Sequence, residues 1–232
     1  MAPQPVALIL GAGRRVGASV AATFQAQGYS VATVSRSGTG AKTPEGYLSL
    51  AADFANPSSI PALFDSVKDT FGVAPSVVVY NAASLTPPPD NDSVLSIPVE
   101  SVVSDLNVNT VSPYVAAQKA VEGWATLPGD VKKTFIYTGN PLNVLVAPVP
   151  PFLNLGVGKR ASTYWIAVAD VTYAAKGYRF HYADERAEGG SSKGPNLDGP
   201  AHGEFYAQLA SHEGNVPWHA TFVAGKGYSS FD

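Results

Sequence analysis

The first residue that could do chemistry is Lys159, which lies in the stretch FLNLGVGKRASTYW (152–165). Most of its neighbours there are apolar or small, and their spacing predicts a helix. A charged amine on an apolar helix is costly to remove from water unless a partner compensates for the lost hydration. Lys159 is therefore either a solvated surface charge or a cation that meets a bound partner, and the rest of the chain decides between the two.

A glycine pattern near the start of the chain indicates what that partner is. Gly11, Gly13 and Gly17 form G-x-G-x-x-x-G directly after the apolar run VALIL (6–10) and at the beginning of a helical pattern. Glycine lets the backbone turn tightly and approach a pyrophosphate, while free amide groups at the helix start face the anion. Between a strand and a helix, the pattern predicts a dinucleotide site. The alternative is a glycine-rich structural turn; the Gly-Lys-Ser/Thr of a kinase-type loop is absent.

Arginines beside this loop favour NADP(H) over NAD(H). An acidic residue at the end of the second predicted strand would accept the ribose hydroxyls of NAD, but this chain has Ser35-Arg36-Ser37 there. Arg14 and Arg15 lie within the loop, and a guanidinium group matches a 2′-phosphate that a carboxylate would repel. The alternative is that these arginines are solvated surface charges. The predicted cofactor contacts in this half of the chain are Gly11, Gly13, Arg14, Arg15, Val16, Gly17, Ser35, Arg36, Ser37 and Asp53, the last of which is placed to meet the adenine edge.

Composition excludes several other kinds of protein. The chain has 232 residues, 45% of them hydrophobic, which suits one domain over residues 1–232 with a substantial core. Charged residues make up 14% and the net charge is −3, without a basic block, so we expect no nucleic-acid partner. No apolar stretch reaches the ~18 residues that span a bilayer, so we expect no membrane span. Cysteine is absent and the four histidines do not cluster, so we expect no disulfide, no thiolate catalysis, no metal and a cytoplasmic location.

Strand-like and helix-like patterns alternate along the chain. This alternation predicts a doubly wound α/β fold of Rossmann type, with helices on both faces of a seven-stranded, mostly parallel sheet. Ligands bind such sheets at the carboxyl ends of the strands, near the point where the strand order reverses. Pro113 predicts a kink or a break in its helix, and residues 188–200 predict a mobile loop that forms a lid with a helix near 201–211. The predicted strands are 6–10, 29–35, 47–54, 76–82, 133–139, 179–183 and 217–223, and the other predicted helices are 15–28, 56–72, 100–125 and 153–175.

Three motifs, in their order and spacing, resemble the short-chain dehydrogenase/reductase family. LGAGRRVG (10–17) is similar to the family's cofactor loop, YNAA (80–83) to its Asn-Asn-Ala-Gly turn, and VNTVSPY (108–114) to its middle helix. The resemblance extends over about residues 5–225. In more detail, FIYTGN, NLGVGKRAS, YRFHYADER and FVAGKGY are similar to a divergent group of fungal members.

The resemblance implies an NADP(H)-dependent enzyme that acts on a small-molecule substrate. Lys159 would bind the nicotinamide ribose, and Asn109 would be the family's structural and proton-relay asparagine. Members commonly pair through the long helices after strands four and five, so a homodimer or homotetramer is implied. The apolar residues of helix 153–175 fit such an interface, although a wholly buried helix would have the same pattern. The cofactor would also be lined by Asn81, Ala82 and Ala83.

The catalytic end of the chain departs from the family's pattern. The family places a Tyr four residues before the Lys, on one helical face, where it protonates the substrate as hydride arrives; here Leu155 occupies that position. No Ser stands where the family has one, near Thr138 and Asn140. Asp184-Glu185-Arg186 replaces the expected Pro-Gly and is either functional or a self-neutralising surface cluster. The candidate catalytic residues are Asn109, Thr138, Asn140, Lys159 and Asp184, with Tyr137 as a further candidate for the acid.

Three functions remain open at this point. The first is an NADPH-dependent reductase with a relocated acid, acting on a carbonyl, an imine or an activated alkene. An iminium accepts hydride without prior protonation, and Asp184 or Glu185 could pair with such a cation. The second is a non-redox isomerase or cyclase that keeps the pocket. The third is a non-catalytic NADP-binding protein, which the retained Asn109 and Lys159 disfavour.

Overall fold

Eight strands form one sheet at the centre of the structure, a computed structural model that describes residues 4–144 and 149–231. The strands are β1 (Val6–Leu10), β2 (Ser30–Ser35), β3 (Leu48–Ala51), β4 (Val77–Tyr80), β5 (Lys133–Thr138), β6 (Tyr178–Glu185), β7 (His219–Val223) and β8 (Gly227–Tyr228). Their order is β3-β2-β1-β4-β5-β6-β7-β8, and all neighbours are parallel except β8, which runs antiparallel to β7. Since the order reverses between β1 and β4, a crevice opens there at the carboxyl ends of the strands.

Helices cover both faces of the sheet and bury two apolar cores. Along β1 the side chains of Val6, Leu8 and Leu10 enter one core, while those of Ala7 and Ile9 enter the other. This alternation follows from the two-residue period of a strand, and it explains why the whole run is apolar. The helices are α1 (Val16–Ala26), α2 (Ile60–Phe71), α3 (Val99–Leu106), α4 (Ser112–Trp124), α5 (Leu153–Tyr173) and α6 (Gly199–Ser211); α1 and α6 bound one core, and α2, α4 and α5 bound the other.

The α-helical hydrogen bonding of the middle helix breaks just before its proline, where a π-helical turn continues the helix. Asn107–Val111 forms a π-helical turn after α3, and α4 begins at Ser112 with Pro113 in its first turn. Proline is tolerated in a first turn because its missing amide proton would have no partner there. The Ser112 hydroxyl donates to the Phe54 carbonyl oxygen over 2.7 Å, which fastens the break to the loop after β3.

The predicted doubly wound α/β fold is confirmed, whereas the predicted number of seven strands is one too low. The additional strand, β8, has only two residues, and Gly225 just before it and Gly227 within it have positive φ angles. A pair this short shows no alternating pattern in a sequence. Strand β6 is also longer than expected, since it includes Asp184 and Glu185. None of the helices in the described part of the chain combines the length and apolar composition that crossing a membrane requires.

Candidate active site

A cavity of about 410 Å³ lies at the carboxyl ends of β4, β5 and β6. Its polar lining comes from the turn after β4, the end of β5, helix α5 and the end of β6, which the sheet topology brings together. Leu142, Phe152 and Leu155 contribute apolar walls, and the loop between β6 and α6 closes one side. The sequence-predicted residues that line the cavity are Asn81, Ala83, Thr138, Asn140, Lys159 and Asp184.

The glycine loop between β1 and α1 fits a diphosphate. Gly11 has a φ of +99°, and a Cβ atom there would lie 2.5 Å from the Ala82 nitrogen. A Cβ atom on Gly17 would lie 2.6 Å from the Gly11 carbonyl oxygen, so α1 can approach the loop only without a side chain at that position. A Cβ atom on Gly13 would meet nothing within 4 Å, and Arg15 makes no side-chain cap at the start of α1. The loop therefore has an open outer side and first-turn amides without a side-chain acceptor, which suits an anion.

Asn81 fastens this loop to the sheet. Its amide Nδ2 donates to the Gly11 carbonyl oxygen over 2.8 Å, and its backbone amide donates to the Leu10 carbonyl oxygen over 2.7 Å. The predicted cofactor-lining turn thus has a clear structural role, which is to hold the glycine loop at the edge of the crevice.

The predicted adenosine end lies on the surface beside β2. Arg14 and Arg36 are exposed, and the hydroxyl groups of Ser35 and Ser37 lie 3.3 Å apart next to Arg36. Asp53 is also exposed, at the loop after β3. The structure thus brings the guanidinium group of Arg36 and two hydroxyl groups to the carboxyl end of β2, where hydrogen-bond donors can meet a phosphate.

The guanidinium group of Arg15 is used differently from that of Arg36. It donates a hydrogen bond to the Pro195 carbonyl oxygen, on the loop that closes the cavity. Gly199, at the start of α6, also packs against α1, since a Cβ atom there would lie 3.0 Å from the Arg15 carbonyl oxygen. Arg15 therefore joins the glycine loop to the predicted lid. No sequence pattern predicts this contact, because the two segments lie far apart along the chain.

Lys159 is buried, with only 3% of its surface exposed, so the interpretation as a surface charge is wrong. Its Nζ atom donates to the Thr138 carbonyl oxygen over 2.8 Å and lies 4.3 Å from the centre of the Tyr137 ring. Burial lowers the pKa of Lys159 to about 7, although the negative charge of Asp184 acts to raise it. Near neutral pH this amine can therefore either hold or release a proton.

Asn109 lies below the cavity in a saturated network. Its side chain clamps the backbone of Ser84, accepting from the amide over 3.0 Å and donating to the carbonyl oxygen over 2.8 Å. Its own carbonyl oxygen accepts from the hydroxyl groups of Tyr137, over 2.9 Å, and Ser162, over 2.7 Å. Asn109 is thus a structural junction between α5, β5 and the turn after β4.

Asn140 presents an amide group to the cavity. Its side-chain oxygen accepts from the Leu142 amide over 3.1 Å, which leaves Nδ2 as a donor. Its backbone is held by Tyr182, whose hydroxyl accepts from the Asn140 amide over 3.1 Å and donates to the Asn140 carbonyl oxygen over 2.8 Å. Gly139 permits this contact, because a Cβ atom there would overlap the Tyr182 ring. At Thr138 the hydroxyl accepts from Tyr206 over 2.8 Å, so it serves the packing of α6 on the sheet.

Asp184 and Glu185 are 1% and 2% exposed, so the interpretation of Asp184-Glu185-Arg186 as a surface cluster is wrong. Arg186 Nε donates to Asp184 Oδ2 over 2.5 Å, and the Asp198 amide donates to Glu185 Oε2 over 2.8 Å. Burial raises the pKa of Asp184 to about 6, although the positive charges of Arg186 and Lys159 act to lower it. A carboxyl group with this pKa can donate a proton in weakly acidic solution.

Leu155 lies where the resemblance places a phenol, and its side chain lines the cavity beside Lys159. Sequence reasoning missed Tyr182, which bonds to Asn140 just after β5, and Tyr206, which bonds to Thr138 at the end of β5. The alternation of Tyr178, Phe180 and Tyr182 along β6 places these rings in one core, but it gives no partner for a hydroxyl group. The missing side chain of Gly139 is the only local sign of the Tyr182 contact.

Comparison with known proteins decides the family. The chain is 39% identical over 242 residues to the short chain dehydrogenase/reductase dmxR12 of Cryptosporiopsis sp. (strain 8999), an alignment that covers 98% of this chain and 95% of the relative. The chain belongs to the short-chain dehydrogenase/reductase family. No protein-family model matches it.

Solved structures of short-chain dehydrogenases agree with this fold. A mutant short-chain dehydrogenase/reductase from Serratia marcescens superposes with a TM-score of 0.77 at 19% identity, over 97% of this chain and 99% of that chain. A short-chain dehydrogenase from Burkholderia cenocepacia J2315 in complex with NADP superposes with a TM-score of 0.74 at 19% identity, over 96% of this chain and 97% of that chain. At such identities the likeness concerns the fold alone.

Proposed function

We propose that this protein is an NADPH-dependent oxidoreductase that transfers hydride to a carbonyl, imine or activated alkene group of a small organic substrate. The observation that carries the proposal is that a diphosphate-compatible glycine loop shares its edge of the sheet with the cavity. Lys159, Asn140 and Asp184 line that cavity. A concave, largely apolar site with a few converging polar groups of shifted pKa is the usual setting of an enzyme active site.

The choice of NADP(H) is supported by charge at the adenosine end. Arg36 follows β2 directly, and Arg14 lies in the glycine loop. A cation here attracts the 2′-phosphate of NADP(H), whereas the acidic residue that serves NAD is absent. The Burkholderia cenocepacia relative in fold was solved in complex with NADP. Lys159, at the inner end of the crevice, is suited to hold the hydroxyl groups of the nicotinamide ribose.

NADPH supplies the hydride when it is bound, and the residues of this chain orient and protonate the substrate. Asn140 Nδ2 donates a hydrogen bond to the acceptor atom of the substrate and stabilises charge that develops there. Lys159 and Asp184 carry the proton, since the pKa of each lies near neutrality, at about 7 and about 6. Asn109 and Thr138 act one step away: Asn109 holds β5 and α5 together, and the Thr138 carbonyl oxygen positions Lys159.

A non-redox isomerase or cyclase is the second candidate. The observation that favours it is Leu155, which leaves a cavity whose described lining has two proton-transfer groups but no phenol. Lys159 and Asp184 could shift a proton within a bound substrate, with NADP(H) as a structural component of the site. A non-catalytic NADP-binding protein would not need these two buried groups of shifted pKa.

We also propose a homodimer formed through α4 and α5. Tyr164 and Val171 on α5 are 76% and 75% exposed, and Tyr114 on α4 is 47% exposed. Tyr114 and Tyr164 line a groove of about 530 Å³ between the two helices. Burial of this surface against a second copy would stabilise the pair. Light scattering on the wild type and on Tyr164→Glu tests this assembly, since only the wild type should have the mass of a dimer.

We assign the protein to the cytoplasm, because its cysteine-free sequence fits a reducing compartment.

Calorimetry and a substrate panel test the proposed function. NADPH should bind more tightly than NADH, and NADPH should be oxidised in the presence of at least one ketone, imine or enone. Equal affinity for the two cofactors would contradict the adenosine argument. NADPH binding without oxidation across the panel would favour the isomerase, cyclase or non-catalytic alternatives.

A further inference from the structure

We propose that the substrate of this site carries a positively charged nitrogen in the form of an iminium, which binds against the carboxylate oxygens at the end of β6. The reduction of such a substrate rests on the proposed function, whereas its binding does not. The proposal narrows the carbonyl, imine and alkene classes to one, and it assigns Asp184 and Glu185 to recognition of the ligand.

Two buried carboxylate oxygens carry the argument. Asp184 Oδ1 and Glu185 Oε1 are both inaccessible to solvent and have no hydrogen-bond partner in the described part of the chain. Both residues line the cavity. Removing an anionic oxygen from water without giving it a hydrogen bond costs free energy. A cationic ligand would offset this cost through its N–H group or through the C–H groups that its charged nitrogen polarises.

The two oxygens are covered, and movement of one neighbouring cation, Lys193, would open the pair to a ligand. Arg186 bonds to Asp184 through Oδ2, and the Asp198 amide bonds to Glu185 through Oε2, so each carboxylate keeps its second oxygen. Lys193 Nζ lies 3.4 Å from Glu185 Oε1 as an ion pair, without a hydrogen bond. Its side chain is 26% exposed and lies on the loop that closes the cavity, so it can swing outward. The ammonium group of Lys193 thus marks a position that a ligand cation can take.

Above pH 7 the two remaining titratable groups beside the pair, Lys159 and His202, carry little positive charge. Lys159 loses its charge above a pKa of about 7, because burial disfavours the ammonium form more strongly than the charge of Asp184 favours it. Burial also lowers the pKa of His202, whose Nδ1 lies 3.6 Å from Glu185 Oε2, so this ring is neutral at pH 7. Asp184, with a pKa of about 6, is ionised at that pH.

An iminium also suits the chemistry of the site. When its carbon accepts hydride, the C=N π electron pair moves to the nitrogen, and the product is a neutral amine. No proton is transferred, whereas the alkoxide formed from a ketone must gain one. Leu155 stands where the family has its phenol acid, and a substrate that needs no acid is compatible with that loss. Leu142 and Phe152 provide apolar contacts for the hydrocarbon part of the ligand.

A matched pair of ligands tests the proposal on the unmodified protein. The probes are 2-methyl-3,4-dihydroisoquinolinium, which is permanently cationic, and 1-tetralone, a neutral bicycle of similar size. We expect the iminium to bind the cofactor-free protein at least about tenfold more tightly by calorimetry, and its kcat/KM for NADPH oxidation to exceed that of the ketone by a similar factor. Equal or tighter binding of 1-tetralone overturns the proposal.

Variants locate the contact. Asp184→Asn should weaken iminium binding about tenfold and change 1-tetralone binding less than twofold. Glu188→Gln is the control, because this substitution removes the same charge from the same segment of the chain. The Glu188 side chain is 75% exposed and pairs with Lys226. If Asp184→Asn does not fold, Glu185→Gln is measured in its place. If a variant weakens the binding of the iminium and of 1-tetralone equally, these carboxylates do not recognise the ligand's charge.

The two arms of the experiment separate this inference from the proposed function. Oxidation of NADPH with ketones but not with the iminium would keep the reductase and overturn the cationic substrate. Binding of the iminium without any NADPH oxidation would keep the cation site and contradict the reductase.

Discussion

The hydroxyl group of Tyr182 holds the backbone of Asn140 from both directions, as acceptor from its amide over 3.1 Å and as donor to its carbonyl oxygen over 2.8 Å. Tyr182 is fully buried, and its ring stacks on that of Tyr137 at 5.5 Å between centroids. Tyr137 stacks in turn on Tyr80 at 5.8 Å. Three aromatic rings on adjacent strands thus form a rigid floor, and Asn140 lies at its edge facing the cavity. Precision of this kind is what a hydrogen-bond donor to a reacting atom requires.

Tyr182→Phe should loosen Asn140 while it keeps the stacked rings. The substitution leaves the amide and carbonyl groups of Asn140 without partners, so the free energy of unfolding should fall by about 1–3 kcal/mol. If Asn140 stabilises the substrate, kcat should fall while the dissociation constant of NADPH stays constant. Urea unfolding and steady-state kinetics measure the two effects.

Tyr178→Phe is the matched control for this experiment. Tyr178 lies on the same strand and is also buried, but within the described residues its hydroxyl group makes no hydrogen bond. Its loss should change the free energy of unfolding by less than about 0.5 kcal/mol. Similar losses in the two variants would show that the ring environment matters and the Asn140 contact does not.

Arg36→Asp should reverse the preference for NADPH. The substitution replaces a cation that attracts the 2′-phosphate by an anion that repels it, so NADPH should bind about 10- to 100-fold more weakly. NADH affinity should stay the same or improve, because the carboxylate can accept from the ribose hydroxyl groups. Lys42→Asp makes the same change of charge near the amino end of β3, where Lys42 forms a bridge to Leu48, and should leave both affinities unchanged. If both variants weaken NADPH binding equally, the effect comes from the net charge of the protein and not from a contact of Arg36 with the 2′-phosphate.

Lys159→Met should change stability in a way that depends on pH. The pKa of Lys159 falls from 10.5 to about 7 on folding, so the unfolded chain binds a proton that the folded chain does not hold between these values. Lys159 therefore lowers the free energy of unfolding by an amount that grows as the pH falls from about 10.5 to 7. Below pH 7 this amount stays constant. The free energy of unfolding of the variant relative to wild type should be higher at pH 7 than at pH 10, as measured by urea titration. A difference that does not change with pH would contradict the shift in pKa.

The sequence predicted the parts of this site that depend on local pattern. The strand at 6–10 was placed correctly because its residues are apolar on both faces, and the start of α5 at Leu153 follows from helical spacing. The glycine loop was predicted from its spacing between a strand and a helix, and the close approaches at Gly11 and Gly17 explain why glycine stands at those two positions. The NADP(H) preference of Arg36 and the roles of Lys159 and Asp184 stay predictions until cofactor binding and kinetics are measured.

The burial of Asp184 and Glu185 was beyond reach of the sequence pattern. Three consecutive charged residues resemble a surface segment, and what makes these residues internal is the extension of β6 beyond the end of β5, alongside β7. Their partners, Arg186 and the Asp198 amide, belong to the loop that folds back over the strand. Such contacts depend on the path of a loop, which the periodicity of apolar residues in a sequence does not predict.

Two glycines of α5 should respond in opposite ways to alanine. A Cβ atom on Gly158 would lie 2.5 Å from the Cβ atom of Asn109, so Gly158→Ala should push α5 away from the middle helix and cost about 1–3 kcal/mol of stability. A Cβ atom on Gly156 would meet nothing within 4 Å, so Gly156→Ala should raise stability by roughly 0.5–1 kcal/mol through helix propensity alone. Thermal and urea unfolding of both variants measure the difference. Because Gly158 precedes Lys159 directly, Gly158→Ala should also weaken NADPH binding, whereas Gly156→Ala should leave it unchanged. Equal stabilisation by both substitutions would mean that α5 and Asn109 are not in close contact.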